Sequence, residues 1–250
     1  MGIQRDIKGY EMKLLDTTGG NTKLCKNNRD VSIRVAGLSQ LPDDRVCAMR
    51  HIAGCAESCL RFSGRGHMPS VVDSRQSKLD YFYSDRLGFI EQLKREIANF
   101  ERLCYKSGVI PHVRLNVITD IKWESKAYGQ IPQSFPNVTL YDYTKIANRL
   151  NKTPDNYKLM FSYSPAVKFQ PQVRLAMAAN VPMSAVFYPA IPDTFLGAKV
   201  INGDNSDIEN LKYRYPNYII GLKYKNANGR GIDPIDETFV VKTINLSEAA

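Results

Sequence analysis

Cys47, Cys55 and Cys59 form a C-x7-C-x3-C arrangement, while the other two cysteines, Cys25 and Cys104, lie apart. Thiolates are ligands for soft metals, so three in one short stretch point to a metal centre before they point to disulfides. Cys55 and Cys59 are four residues apart at an expected helix start, which puts both sulfurs on one face. The loop Ala48–Gly54 is long enough to bring Cys47 beside them. With His51 as a fourth donor the set would make a tetrahedral zinc site. Without His51, three thiolates hold three corners of an iron–sulfur cluster and leave one iron open to a ligand. The spacing matches no common zinc or ferredoxin run, so three structural thiols without metal remain a third reading.

A second chemical set lies farther along the chain. Asp120, Asp142 and Lys145 are the candidate catalytic groups, two carboxylates and a cation. Carboxylates whose environments push their pKa values apart can share acid and base roles. Asn116, Tyr143 and Ser162 are the candidate cofactor-binding side chains beside them. The plainer reading has Asp142 capping the next helix and Lys145 solvated. A third set is basic. Between Arg45 and Lys78 six basic residues face only Glu57 and Asp73, and Arg61 and Arg65 are the candidates for nucleic-acid contact. Gly64-Arg65-Gly66-His67 either meets phosphate or stops a helix.

These residues need elements to hold them. Met12–Asp16 reads as a strand, Thr17–Asn21 as a turn and Thr22–Lys26 as the returning arm of a hairpin. Val31–Ala36 alternates apolar and polar residues, as a half-buried strand does. Helices are expected over Ala56–Phe62 and from Ser70 or Ser84 onward. Ile90, Leu93, Ile97, Phe100 and Cys104 make one apolar stripe, and Gly108 sits just past its end. Cys104 is therefore a core thiol, and the sole Trp123 is a core residue. From Val109 strands and helices alternate. The strands are His112–Val117, Val138–Tyr143, Lys158–Tyr163, Met183–Tyr188, Lys199–Ile201 and Tyr218–Lys223. Between them come helices at Lys145–Asn151 and Gln170–Asn180 and a turn near Ser206–Leu211. Thr238–Ile244 reads as a last strand. Strands joined by crossovers of this length make a mainly parallel sheet or partial α/β barrel. Ligands of such folds gather at the carboxyl ends of the strands. Asn116, Asp120, Asp142, Tyr143, Lys145 and Ser162 all fall there.

Composition narrows the class. The chain has 250 residues, 43% apolar and 24% charged, with 34 basic against 25 acidic residues and a net charge of +9. Those are globular values, and the basic excess is spread evenly. The expectation is one α/β domain over 1–250, with a hairpin at 1–30, a barrel core at 31–225 and a strand and tail at 226–250. No apolar run reaches a membrane span and no export signal opens the chain, so a cytoplasmic protein is expected. Two-histidine nickase, Gly-x-Ser-x-Gly hydrolase and His-Glu-x-x-His peptidase motifs are absent.

Several runs carry a family resemblance. They are Leu14-Leu15-Asp16, Gly20-Asn21-Thr22-Lys23, the three-cysteine loop, Gly64-Arg65-Gly66, Val113–Asn116, Thr119–Glu124, Phe135–Val138 and Tyr141–Lys145. In these the chain resembles a bacteriophage and plasmid family and, more distantly, the mycobacteriophage gene-product-88 family. The resemblance implies a lineage, a host-cytoplasmic setting and no particular reaction. A three-cysteine loop after the first strand of a partial barrel is also similar to radical S-adenosylmethionine enzymes. Their usual C-x3-C-x2-C is not the spacing here. That likeness implies an iron–sulfur cluster, S-adenosylmethionine and a site at the strand ends. The competing expectation is a nucleic-acid-binding accessory protein with a structural metal, zinc included, or none.

Overall fold

The computed structural model describes residues 12–17, 32–225 and 238–243. The fold is mixed α/β, with ten strands in a mostly parallel sheet. The chain forms two compact units, neither of them continuous in sequence.

The first unit takes residues up to Pro42, Pro69–Tyr141 and Pro154–Tyr157. Strand β1 (Leu15–Asp16) runs antiparallel to β2 (Ile33–Leu38), with Leu15 opposite Leu38. β1 and β2 thus make an N-terminal hairpin, and the expected arm Thr22–Lys26 lies outside the described residues. β3 (Ile110–Arg114) lies parallel to β2 over five residue pairs, from Ile33 and Ile110 to Gly37 and Arg114. β4 (Thr139–Thr144) continues the parallel order, with His112 opposite Thr139.

The link between β2 and β3 in this unit carries two helices, α1 (Pro69–Ser84) and α2 (Arg86–Lys106). Asp85 breaks them apart, leaving helical geometry at φ −144° while its carboxylate accepts from the Gly88 N–H as an N-cap. The expected stripe is the buried face of α2: Ile90, Leu93, Ile97, Phe100 and Cys104, joined by Phe89. Gly108 ends it at φ +65°, the left-handed conformation glycine adopts without cost. Phe82 and Phe89 meet edge to face at 5.3 Å, and Phe82 meets the fully buried Trp123 at 5.8 Å. A short helix, α3 (Ile131–Ser134), precedes β4.

The second unit takes Asp43–Met68, Asp142–Thr153 and the chain from Lys158 onward. It holds the end of β4, all but the first residue of β5 (Tyr157–Ser162), and β6 (Met183–Tyr188). Its remaining strands are β7 (Thr194–Phe195), β8 (Ala198–Asn202), β9 (Tyr218–Lys223) and β10 (Val241–Lys242). β5, β6, β9 and β8 are parallel neighbours in that order. β7 returns antiparallel on β8 through Leu196 (φ +50°) and Gly197 (φ +77°), a two-residue turn with both φ positive. α4 (Gln170–Ala178) crosses from β5 to β6, and α5 (Asp207–Asn210) is capped by Ser206. β10 pairs with β6 at Phe187 and Tyr188, beyond Ser184, where the β5 pairing stops.

Two expected helices are not present. Ala56–Phe62 is a run of turns ending in two 3-10 segments, Leu60–Phe62 and Gly64–His67. Lys145–Asn151 keeps only a 3-10 turn at Ala147–Arg149. There the backbone is extended at Ile146 and left-handed at Asn151, so an α-helix has no room to propagate. Among the described residues no helix is long and apolar enough to cross a membrane.

Within the first unit Glu96 ties β1 to α2. Its carboxylate accepts from the Leu14 and Leu15 N–H groups at 2.8–3.0 Å and from Gln92 at 2.9 Å. Charge-assisted bonds to otherwise unsatisfied amides are strong, so Glu96→Ala is expected to lower stability by about 3 kcal/mol and Glu96→Gln by about 1. Urea denaturation measures both; equal losses would show that the charge is not what matters.

Candidate functional site

In the second unit the cysteine loop is built from side-chain-closed turns. Asp43 accepts from the Arg45 and Val46 N–H groups, and its carbonyl accepts from Cys47. Met49 and Arg50 carbonyls take the Ala53 and Cys55 N–H groups. Gly54 turns the chain at φ +68°. Two hydroxyls fasten the loop to strand ends. Ser164, fully buried just past β5, donates to the Ala53 carbonyl at 2.7 Å, and Ser63 donates to the Lys225 carbonyl just past β9. A parallel sheet therefore carries this loop on its carboxyl side, as the sequence implied.

Cys47, Cys55 and Cys59 are partly covered thiols that form no disulfide among the described residues. Burial pushes the Cys59 thiol above its ordinary pKa. The neighbouring Cys55 adds to that rise, while the Arg61 N–H and the Arg61 and Arg50 charges oppose it. Cys55 and Cys59 are thus brought within electrostatic reach of each other. Among the described residues no group of three or more His, Cys, Asp or Glu side chains stands close enough to hold a metal ion. His51, the expected fourth zinc ligand, lies exposed with Nε2 2.8 Å from Asp44 Oδ1. Arg61 lies over the Phe62 ring at 4.2 Å, and Arg65 is exposed on the second 3-10 turn.

Lys145 and Ser162 meet. The Lys145 ammonium donates to Ser162 Oγ and Ser162 O, both at 2.9 Å, and to Tyr163 O at 3.3 Å. Phe239 lies 4.0 Å from Nζ and Phe169 5.5 Å. Tyr143 donates from its hydroxyl to Asp207 Oδ1 at 2.8 Å. Asp142 is buried within β4, and no α-helix follows for it to cap. Burial also raises the Tyr163 phenol, partly offset by a hydrogen bond with Gln170. Sequence reasoning passed over Arg149, buried at the end of the 3-10 turn after β4 with Nη1 on Thr144 Oγ1. An arginine among Ile146, Ala147 and Leu150 was its sequence signal.

Asn116 and Asp120 belong to the first unit. The Asn116 side chain closes the loop after β3. Its carbonyl accepts from the Ile121 N–H (2.8 Å), the Thr119 hydroxyl (3.0 Å) and the Trp123 indole (3.3 Å), and its amide donates to Ile121 O. Asp120 is half-buried in that same loop. Buried polar residues that the sequence did not single out sit nearby: Arg114 at the end of β3, and Ser39 and Gln40 just past β2.

A mostly parallel sheet with long connections between its strands defines a mixed α/β protein. The family model of Gene product 88 matches residues 12–233. The chain belongs to that family. No curated protein and no solved structure matches it.

The raised Cys59 thiol makes stability depend on pH. Its folded-state pKa exceeds the unfolded one, so the contribution is intact below the unfolded value and is lost as pH rises through the folded value. Wild type is therefore expected to lose more stability than Cys59→Ser as pH rises above about 8.5. The raised thiol of Cys104 and phenol of Tyr163 are common to both proteins and cancel in the difference. Parallel urea midpoints from pH 7 to 10 would show that the thiol ionises freely.

Proposed function

We propose that the protein is an iron–sulfur enzyme of the radical S-adenosylmethionine kind, with a partial-barrel topology and its site at the strand carboxyl ends. The observation that carries this reading is the fastening of the three-cysteine loop to the ends of β5 and β9 through Ser164 and Ser63. Cys47, Cys55 and Cys59 would hold the cluster. Thiolates bound to separate irons need not converge as they would on one ion, which is why the cluster is preferred here to zinc. Arg50 and Arg61, already within reach of Cys59, offset the negative charge of the thiolates. When bound, such a cluster supplies an electron to S-adenosylmethionine. Lys145 fixes Ser162 and the β5 end, Tyr143 is oriented by Asp207, and Asp142 supplies the carboxylate of this unit. Asn116 orders the β3 loop that carries Asp120.

Anaerobic reconstitution with iron and sulfide tests the reading. The expected product is brown and retains about four irons per chain, and each single Cys→Ser change at 47, 55 or 59 removes them. Protein that retains no iron overturns it.

A second reading, nucleic-acid binding, is favoured by the exposed Arg65 and His67 on the Gly64–His67 turn, with Arg61 beside them. It requires affinity that falls steeply with salt, and Arg61→Ala with Arg65→Ala lowers the logarithmic salt slope by about 2. Binding that ignores salt, measured by fluorescence anisotropy, rejects it.

A further inference from the structure

Thr238–Thr243 crosses the strand-end side of the second unit and touches each part of its candidate site. Thr238 packs so closely on the cysteine loop that a Cβ added to Gly54 would land on the Thr238 hydroxyl. Phe239 places its ring 4.0 Å from the Lys145 ammonium. Val240 is buried, and β10 then occupies the edge of β6 that β5 leaves open. Thr243 closes the segment, its N–H donating to Tyr188 O and its hydroxyl to Ala190 O, both at 2.8 Å. Loop, cation and strand end are thus bridged by one six-residue piece of chain.

The attachment is slight for a strand. β10 is only two residues long, whereas β5, β6 and β9 are six residues each. Elements with short ladders and little buried apolar surface open locally well below the cost of global unfolding. We propose that Thr238–Thr243 is a detachable strap that gates access to the cysteine loop and to Lys145. This rests on the site lying at the strand ends of the second unit, as proposed above, and is independent of which cofactor the cysteines hold.

The test uses full-length, metal-free protein under native conditions, with iodoacetamide as the probe and mass spectrometry reading each cysteine. Phe239→Ala removes the contact with Lys145. Thr238→Ala removes the hydroxyl that packs on Gly54. Phe239→Ala and Thr238→Ala are each expected to speed alkylation of Cys55 and Cys59 about tenfold. Cys104, buried in the first unit, should keep its wild-type rate and so reports whether the variants remain folded. Unchanged rates at Cys55 and Cys59, or acceleration of Cys104 in step with them, would each overturn the strap. Because no iron enters the assay, gating without iron retention would reject the enzyme alone, and iron retention without gating would reject the strap alone.

Discussion

The second unit is organised around one ammonium group. Parallel strands end with unpaired backbone carbonyls, since the chain leaves the ladder there for a long crossover. At the end of β5 two of these carbonyls, Ser162 O and Tyr163 O, point at Lys145, together with the Ser162 hydroxyl. A cation taken partly out of water is costly unless its hydrogens find acceptors. Here three acceptors match its three hydrogens, and two aromatic rings lie near it. The consequence reaches back into the chain. To deliver Nζ to β5, the backbone after β4 stays extended at Ile146 and closes in one short turn, with Thr144 Oγ1 accepting from the Ile146 N–H. Lys145 thus acts as a positioning cation, because its protons are committed to the strand end.

The cysteine loop obeys the same requirement by another route. Twenty-six residues, Asp43–Met68, hold no α-helix, so their backbone groups cannot be satisfied by i to i−4 bonds throughout. Asp43 supplies acceptors at the loop's start, Ser164 reaches Ala53 from just past β5, and Ser63 reaches Lys225 just past β9. Serine hydroxyls are short and stiff, so each fixes the loop at one point rather than over a surface. Cys55 and Cys59 lie between those points, and Cys47 lies between Asp43 and the first of them.

What the sequence could tell followed the range of the forces involved. β6 and β9 were legible to the residue because a parallel strand buried on both faces is a short, bounded apolar run. The α2 stripe was legible because burial repeats every three to four residues over five turns. Ala56–Phe62 and Lys145–Asn151 were read as helices on local pattern alone. They are not, since a left-handed Gly54 and the pull of Lys145 toward β5 are tertiary facts with no local trace. The N-terminal hairpin was legible as such, but not β2 as a partner of β1, because the turn residues at 17–21 point only to the arm at 22–26, which lies outside the described residues. Among the candidate residues, the meeting of Lys145 with Ser162 was implied by strand ends lying on one side. The use of Asn116 as a loop clamp was not, because its three acceptances come from residues within seven positions of it, a pattern any asparagine after a strand could show.

The state of Cys59 bears on what the loop can bind. A thiol raised by burial stays protonated at neutral pH, and in that form it is a poor ligand and a poor nucleophile. On the reading proposed above, metal binding would have to remove its proton, and the cost falls as pH rises. Arg50 and Arg61 already pull the other way, toward thiolate, but desolvation outweighs them in the metal-free protein. A cationic centre of the proposed kind would shift that balance toward thiolate, since a coordinated metal deprotonates its thiol ligands and burial strengthens the attraction between the two charges.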